Sequence, residues 1–207
     1  MYKIKINKEV LKNHIQYDWW KYAVSVAVTV LVWSMIVTVT APRTPGDKKV
    51  DIYLVGGYMF EDPASKIEQR ILSDFPDLLE INLHNILLEG QMEYVGRQKF
   101  LAMLFGQEGD IFILDQKTFK DLAREGALLP LDDYEGIKGR MTKEQIEKGT
   151  MAADESSEPK LYGVPLAGFK LFEDTYDTKN AVLCIMSYSD NIPKAVEVTE
   201  WILENGQ

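Results

Sequence analysis

A membrane-crossing helix followed by one α/β domain with a mostly parallel sheet is the fold class this sequence predicts. Three observations lead there. Residues 22–41 (YAVSVAVTVLVWSMIVTVTA) run for twenty positions without a charge, a Gly or a Pro. After them, short β-branched and apolar runs alternate with segments of helical period, the pattern of strand–helix–strand units. The 166 residues from 42 to 207 are about one domain, enough to bury a core.

At about 1.5 Å per residue, the uncharged stretch is a helix of roughly 30 Å, the thickness of a bilayer's hydrocarbon core. Ser25, Thr29, Ser34, Thr38 and Thr40 are tolerated there because hydroxyls bond back to their own helix. The many β-branched residues favour strand in water, but in lipid only an internally bonded helix or a closed barrel is viable. A buried core helix is the alternative, and the stretch is long for one. Trp19, Trp20 and Tyr22 form an aromatic belt at its start. Lys3, Lys5, Lys8, Lys12 and Lys21 precede it and Arg43, Lys48 and Lys49 follow, a bias that places the N-terminus in the cytoplasm. Val39-Thr40-Ala41 looks like a cleavage site, but Pro42 would follow the cut, and the apolar run exceeds a signal peptide's usual core. No Cys follows the span to carry a lipid. The expectation is an uncut single-pass anchor: 1–21 cytoplasmic or interfacial, 22–41 transmembrane, 42–49 linker, and 50–207 an extracytoplasmic α/β lobe.

Charge divides the chain. Residues 1–21 carry five Lys against Glu9 and Asp18, a net +3, which leaves −12 on the remainder of a chain at −9. The acidic part excludes nucleic acid as a partner and disfavours anionic lipid; the basic end suits lipid headgroups. Cys184, the single cysteine, excludes an internal disulfide and reads as an inert core residue in the run AVLCIM.

Leu11, Ile15 and Trp19 share one side of an N-terminal helix, where His14 is an interfacial residue. APRTPGDKK (41–49) is a linker. Val50–Val55 is the first strand, ended by Gly56-Gly57. A helix then starts, where Asp62 precedes Pro63 and Ser65-x-x-Glu68 fits a capping box, with Ile67, Ile71, Leu72 and Phe75 as its stripe. Leu78–Leu88 holds the second strand, with Leu79, Ile81 and Leu83 on one side. Met92–Phe105 is a second helix that buries Val95, Leu101 and Leu104. DIFIL (110–114) is almost wholly apolar, as a central parallel strand should be. Lys117–Glu125 is a third helix stopped by Gly126, and Thr142-x-x-Gln145 caps a short fourth. ADESSEPK (153–160) is a polar loop. Leu161–Phe172 and Ala181–Tyr188 are further extended runs, and Asp190-Asn191 caps a last helix with Ala195, Val198, Trp201 and Ile202 on one face.

In an open α/β sheet, ligands sit outside the carboxyl ends of the strands. That nominates Gly56–Glu61, where glycines admit a ligand and aromatics offer stacking faces; Asp115–Thr118, polar groups at a helix start; and Tyr162–Pro165. Each has a plain alternative: a turn, an N-cap, and packing. Catalytic signals are absent. The Gly pair fits neither GxGxxG nor GxxxxGK[ST], the His residues are isolated, and the lone Cys has no evident base. Glu61-Asp62 reads as cap and loop, and His84 as structural. No enzyme activity, cofactor or metal is expected.

Several runs resemble the extracytoplasmic solute-binding proteins of bacterial ABC importers, especially the carbohydrate-binding group. They are DFPDLLEINL (74–83), QKFLAMLFGQEGD (98–110), GDIFILDQKTFKDLAREGALLPLDD (109–133), YGVPLAG (162–168) and the closing helix with Ala195 and Trp201-Ile202-Leu203. The resemblance implies a strand order 2-1-3 with later strands added, helices on both faces, and recognition rather than catalysis. It places Gly57, Tyr58, Gln116, Lys117 and Tyr162 where that family's first lobe faces ligand. The departures are a missing second lobe, since about forty residues follow YGVPL, and a membrane helix in place of a lipidated Cys. Half a cleft buries less of a ligand than two closing lobes.

The expected function is a membrane-anchored, solute-binding-protein-like module on the outer face of a bacterial cell membrane, linked to ABC-type carbohydrate import. Its partners would be a sugar or other small ligand, an ABC permease or sensor protein, the bilayer through residues 22–41, and a second copy of the chain. The alternative is a protein-interaction or sensory module that uses the uncovered lobe face, with Tyr58, Met59, Phe60 and Phe172 as its residues.

Overall fold

The computed structural model describes residues 8–40, 44–152 and 157–206, with side chains from residue 16 onward. The readings of His14, Leu11 and Ile15, of Lys3 and Lys5, of the linker at 41–43 and of most of the 153–160 loop lie outside that set. The chain divides into two compact units, Met1–Arg43 and Thr44–Gln207.

The first unit holds helix α1 (Lys8–Thr40). Over Gln16–Thr40 it is long and apolar enough to cross a membrane, and none of its most apolar window is buried. The hydroxyls of Thr29, Thr38 and Thr40 donate to the carbonyls of Ser25, Ser34 and Ile36 at 2.7–2.8 Å, which removes their need for water. Helix and not strand forms although Val dominates, because every backbone group is then satisfied internally.

The second unit is a five-stranded mixed sheet between two helical layers, in the order β2-β1-β3-β7-β6. Strand β1 (Lys49–Gly56) pairs in parallel with β2 (Glu80–Leu87) on one side and β3 (Ile111–Asp115) on the other. Order 2-1-3 is therefore present. The later strands β7 (Ala181–Ile185) and β6 (Val164–Pro165) are added antiparallel, β7 against β3 and β6 against β7. Pro165, which has no N–H for a ladder, lies at the sheet's edge. The run 161–172 is not one strand. Lys160–Leu161 (β5) pairs with Thr150–Met151 (β4) in a separate ribbon, and Lys170–Phe172 is a 3₁₀ turn.

Central strands alternate between two cores. Ile52, Leu54, Ile111, Ile113 and Leu183 face α2 (Glu61–Asp74) and α7 (Ile192–Gly206), which supply Ile67, Ile71, Ala195, Val198 and Ile202. Tyr53, Val55, Phe112, Leu114 and Cys184 face α3 (Glu93–Gly106) and α4 (Gln116–Arg124), which supply Phe100, Met103, Phe119 and Leu122. Short helices α5 (Glu135–Lys138) and α6 (Lys143–Gly149) follow, α6 with the expected Thr142/Gln145 capping box.

Three local expectations are corrected. Helix α2 begins at Glu61, beside the Asp62-Pro63 signal, with no side-chain cap, and the Ser65–Glu68 pair lies inside it. Glu68 accepts the Leu83 N–H at 2.6 Å and so ties the helix to β2. Leu79 lies before β2 and is exposed. In α3 the buried positions are Gly96, Phe100 and Met103; Val95 and Leu101 are exposed. The helix is apolar around most of its circumference, so periodicity alone leaves its phase open. Gly96 sets it, because any Cβ there would collide with the Leu87 carbonyl oxygen.

Candidate functional site

The carboxyl ends of β1 and β3 and the start of β7 meet at one edge of the sheet, where Asp115 is paired with Ala181. There β1 leaves through Gly56, at φ 133°, a conformation that L side chains rarely adopt. A Cβ at Gly56 would also lie 3.0 Å from the Tyr176 hydroxyl. That hydroxyl donates to the Val55 carbonyl at 3.0 Å and accepts the Gly57 N–H at 3.4 Å. Asn85 Nδ2 donates to the carbonyls of Leu54 (3.2 Å) and Gly57 (2.9 Å). The Phe60 N–H donates to the Thr175 carbonyl at 3.0 Å. The loop after β1 is thus stitched to the segment that precedes β7.

This stitching turns two aromatic rings outward. Tyr58 and Phe60 are 60% and 57% exposed and meet edge to face, with centroids 5.2 Å apart. They border two open depressions. One, of about 630 Å³, is rimmed by Lys170, Glu173, Asp177, Thr178 and Lys179; the other, of about 690 Å³, by Glu61, Asp62 and Asp174. Such a lining offers flat apolar faces beside charged and hydroxyl groups, which suits a polyhydroxylated ligand or a polar peptide. Burial raises the Tyr176 phenol above its ordinary range, so it remains a neutral donor.

The residues expected to face ligand are dispersed. Gly57 and Tyr58 belong to the stitched loop. Gln116 and Lys117 open α4 and border neither depression; Gln116 Nε2 lies 3.5 Å from the Lys148 carbonyl. Asp115 caps that helix, accepting from the backbone N–H of Lys117 (2.8 Å) and Thr118 (3.1 Å) and from the Thr118 hydroxyl (2.6 Å). Burial pushes its carboxyl up, but the Thr118 and Lys117 bonds outweigh burial and hold it below the usual range. Tyr162 packs in the core cluster that holds Phe119 and Leu122, 8% exposed. Tyr176 and the rim residues Lys170, Glu173, Asp177, Thr178 and Lys179 escaped sequence reading. The only signal was an aromatic and charged segment, FKLFEDTYDTK, between two strands. Of the four residues expected on the uncovered face, Met59 and Phe172 are buried while Tyr58 and Phe60 are exposed.

At the opposite edge of the sheet lies a polar cluster. Asp51 contacts Lys49 (2.7 Å), Asn82 (2.9 Å) and His84 (3.6 Å). Asp110 accepts from the Asp51 N–H (2.8 Å) and the Ser189 hydroxyl (2.6 Å). Burial opposes ionisation of Asp51, yet His84, Lys49 and Asn82 hold it well below the ordinary carboxylate range. Burial dominates at Asp110 and raises it. His84 stacks on Tyr53 at 4.7 Å, which fits its structural reading. Cys184 is fully buried, and burial raises its thiol, so it is inert as expected. Among the described residues no group of three or more His, Cys, Asp and Glu is placed to hold a metal.

No protein-family model and no curated protein matches the chain. Solved structures do. The chain is similar over 59% of its length to an extracellular solute-binding protein family 1 from Alicyclobacillus acidocaldarius, at 18% identity and TM-score 0.45, covering 29% of that chain. It is similar over 57% to the N-glycan transport solute binding protein from Streptococcus pneumoniae, at 15% identity and TM-score 0.41, covering 25% of that chain. It is similar over 59% to the ABC transporter associated binding protein from B. animalis subsp. lactis in complex with beta-1,6-galactobiose, at 14% identity and TM-score 0.40. The chain spans only 25–29% of the length of these proteins, each of which is described as a binding protein.

Proposed function

We propose that this chain is a membrane-anchored, extracytoplasmic binding module linked to ABC-type carbohydrate import, with residues 22–41 as its span and 50–207 as a single solute-binding-protein-like lobe. One observation carries the reading: two exposed aromatic rings, Tyr58 and Phe60, are held at the carboxyl edge of the sheet beside a charged and hydroxyl rim. A sugar presents an apolar C–H face and a circumference of hydroxyls, and this surface offers a partner for each. The resemblance of 74–83, 98–133 and 162–168 to carbohydrate-binding proteins supports the same ligand class. Gly57, Tyr58 and the 170–179 rim are the proposed contacts, with Gln116 and Lys117 flanking. The role is recognition, without a chemical step.

A second reading is favoured by the openness of the depressions. Nothing within the described lobe covers Tyr58 and Phe60, so another protein, a permease or a sensor, would supply the cover. Calorimetric titration of the full chain in lipid nanodiscs with di- and trisaccharides tests the first reading. Sub-millimolar binding of one sugar supports it. Affinity no better than millimolar for every sugar removes transport and leaves protein docking.

A further inference from the structure

Helix α3 carries an apolar stripe on its outer face that the fold leaves uncovered. Tyr94 is 71% exposed, Val95 53%, Leu101 46% and Phe105 86%. Tyr94, Gln98, Leu101 and Phe105 are spaced 4-3-4, the interval of a helix–helix seam. Together with Gln98 the stripe presents roughly 500 Å² of side chain, taking up to about 250 Å² per large aromatic. That is in the upper part of the range of about 300–600 Å² for a typical monomer's largest apolar patch, a patch that is often functional.

We infer that a second copy of this chain covers the stripe, with the two α3 helices antiparallel. The spacing is the same read from either end. About a two-fold axis at its midpoint, Tyr94 meets the partner's Phe105, and Gln98 meets the partner's Leu101. A self-complementary stripe is what a two-fold contact between identical surfaces requires. Gln98, whose side chain donates to the Tyr94 hydroxyl at 2.7 Å, places one polar group in the seam, as registers are set in helical pairs. Charge agrees. Within Glu93–Gly106 there are two cations, Arg97 and Lys99, against the single anion Glu93, on an otherwise acidic domain. Repulsion between copies is therefore weak at this face, whereas anionic headgroups would repel the domain as a whole. Two stripes together bury about 1,000 Å², the lower bound of specific interfaces. The contact is accordingly weak in solution, and confinement of both copies to one membrane strengthens it; only that strengthening rests on the anchored reading.

The test is cross-linking of the full chain in vesicles with a short bis-maleimide. Cys184 is buried, so the unaltered chain is the blank. The expected result is a dimer with Gln98→Cys, and none with Gln69→Cys on the exposed face of α2 or with Gln107→Cys, whose copies sit at opposite ends of an antiparallel pair. Adding Leu101→Glu and Phe105→Glu to Gln98→Cys abolishes the dimer, with circular dichroism confirming an intact fold. No link at Gln98 overturns the inference, as does equal linking at Gln69; linking at Gln107 overturns the antiparallel arrangement. A blue-shifted fluorophore on Gln98→Cys that persists on lipid dilution, without cross-linking, assigns the face to the bilayer instead. Extraction of the chain by carbonate would refute the anchor alone, since the cross-link is then read in free solution.

Discussion

The hydroxyl of Tyr176 donates to the carbonyl of Val55, 121 residues earlier, at 3.0 Å, at the point where β1 ends and the candidate site begins. The same oxygen accepts the Gly57 N–H. Replacing it by Tyr176→Phe keeps the ring's packing and removes both bonds, leaving a buried carbonyl without its donor. A loss of about 1–2 kcal/mol in urea unfolding is expected. Any sugar affinity should fall as well, because Gly57 and Tyr58 lose the clamp that fixes their loop. Unchanged stability would mean that the Asn85 bonds hold the loop by themselves.

Tyr58 and Phe60 are the opposite case. Both are more than half exposed, so truncation creates no cavity in the core. Tyr58→Ala and Phe60→Ala should alter unfolding by no more than about 0.5 kcal/mol, as ordinary surface changes do. Each should weaken sugar binding by up to about tenfold, the loss of one aromatic contact of up to about 1.5 kcal/mol. Titration of the two variants beside the parent chain separates a binding role from a packing role.

Gly96 tests whether helix preference or close approach governs α3. In an open helix, Gly→Ala stabilises by about 1 kcal/mol. Here the new methyl meets the Leu87 carbonyl, which is backbone and does not rotate away. Moving a packed helix off the sheet costs about 1–3 kcal/mol, and Gly96→Ala should be net destabilising in chemical denaturation. A stabilised variant would show that α3 shifts freely.

What the sequence made legible follows from how locally each feature is determined. The N-terminal apolar helix, β1, β3, the Asp115 cap and the Thr142/Gln145 box were readable because each depends on contiguous residues: charge-free length, continuous burial, or a side chain bonding two or three positions on. The phase of α3 was not, because its apolar residues surround the helix and Gly96 acts through the far end of β2. The capping of α2 was misread because Ser65–Glu68 has the form of a cap, while Glu68 is committed to the Leu83 N–H. The site was half legible. The Gly56–Glu61 loop announces itself by composition, but Tyr176 joins it from 121 residues away. Tyr162 has the same aromatic character as Tyr58, and only the tertiary fold separates a buried ring from an exposed one.

Asp51 and Asp110 give the last prediction, one of opposite signs from neighbouring carboxyls. Asp51 titrates below its unfolded value, so its ion pairs and hydrogen bonds contribute stability above about pH 4 that is lost as pH falls through the lowered folded value. Asp110 titrates above its unfolded value, so the fold prefers it protonated. Its contribution is complete below about pH 4 and is lost as pH rises through the raised value. Asp51→Asn should therefore lower the melting temperature at pH 7 and flatten its fall on acidification. Asp110→Asn keeps a neutral acceptor for the Asp51 N–H or the Ser189 hydroxyl. It should be better tolerated, with its deficit smaller at pH 7 than at pH 3. Thermal melts of the three chains from pH 3 to pH 8 decide it: parallel curves for both variants would show that burial and ion pairing do not divide the two carboxyls as the geometry requires.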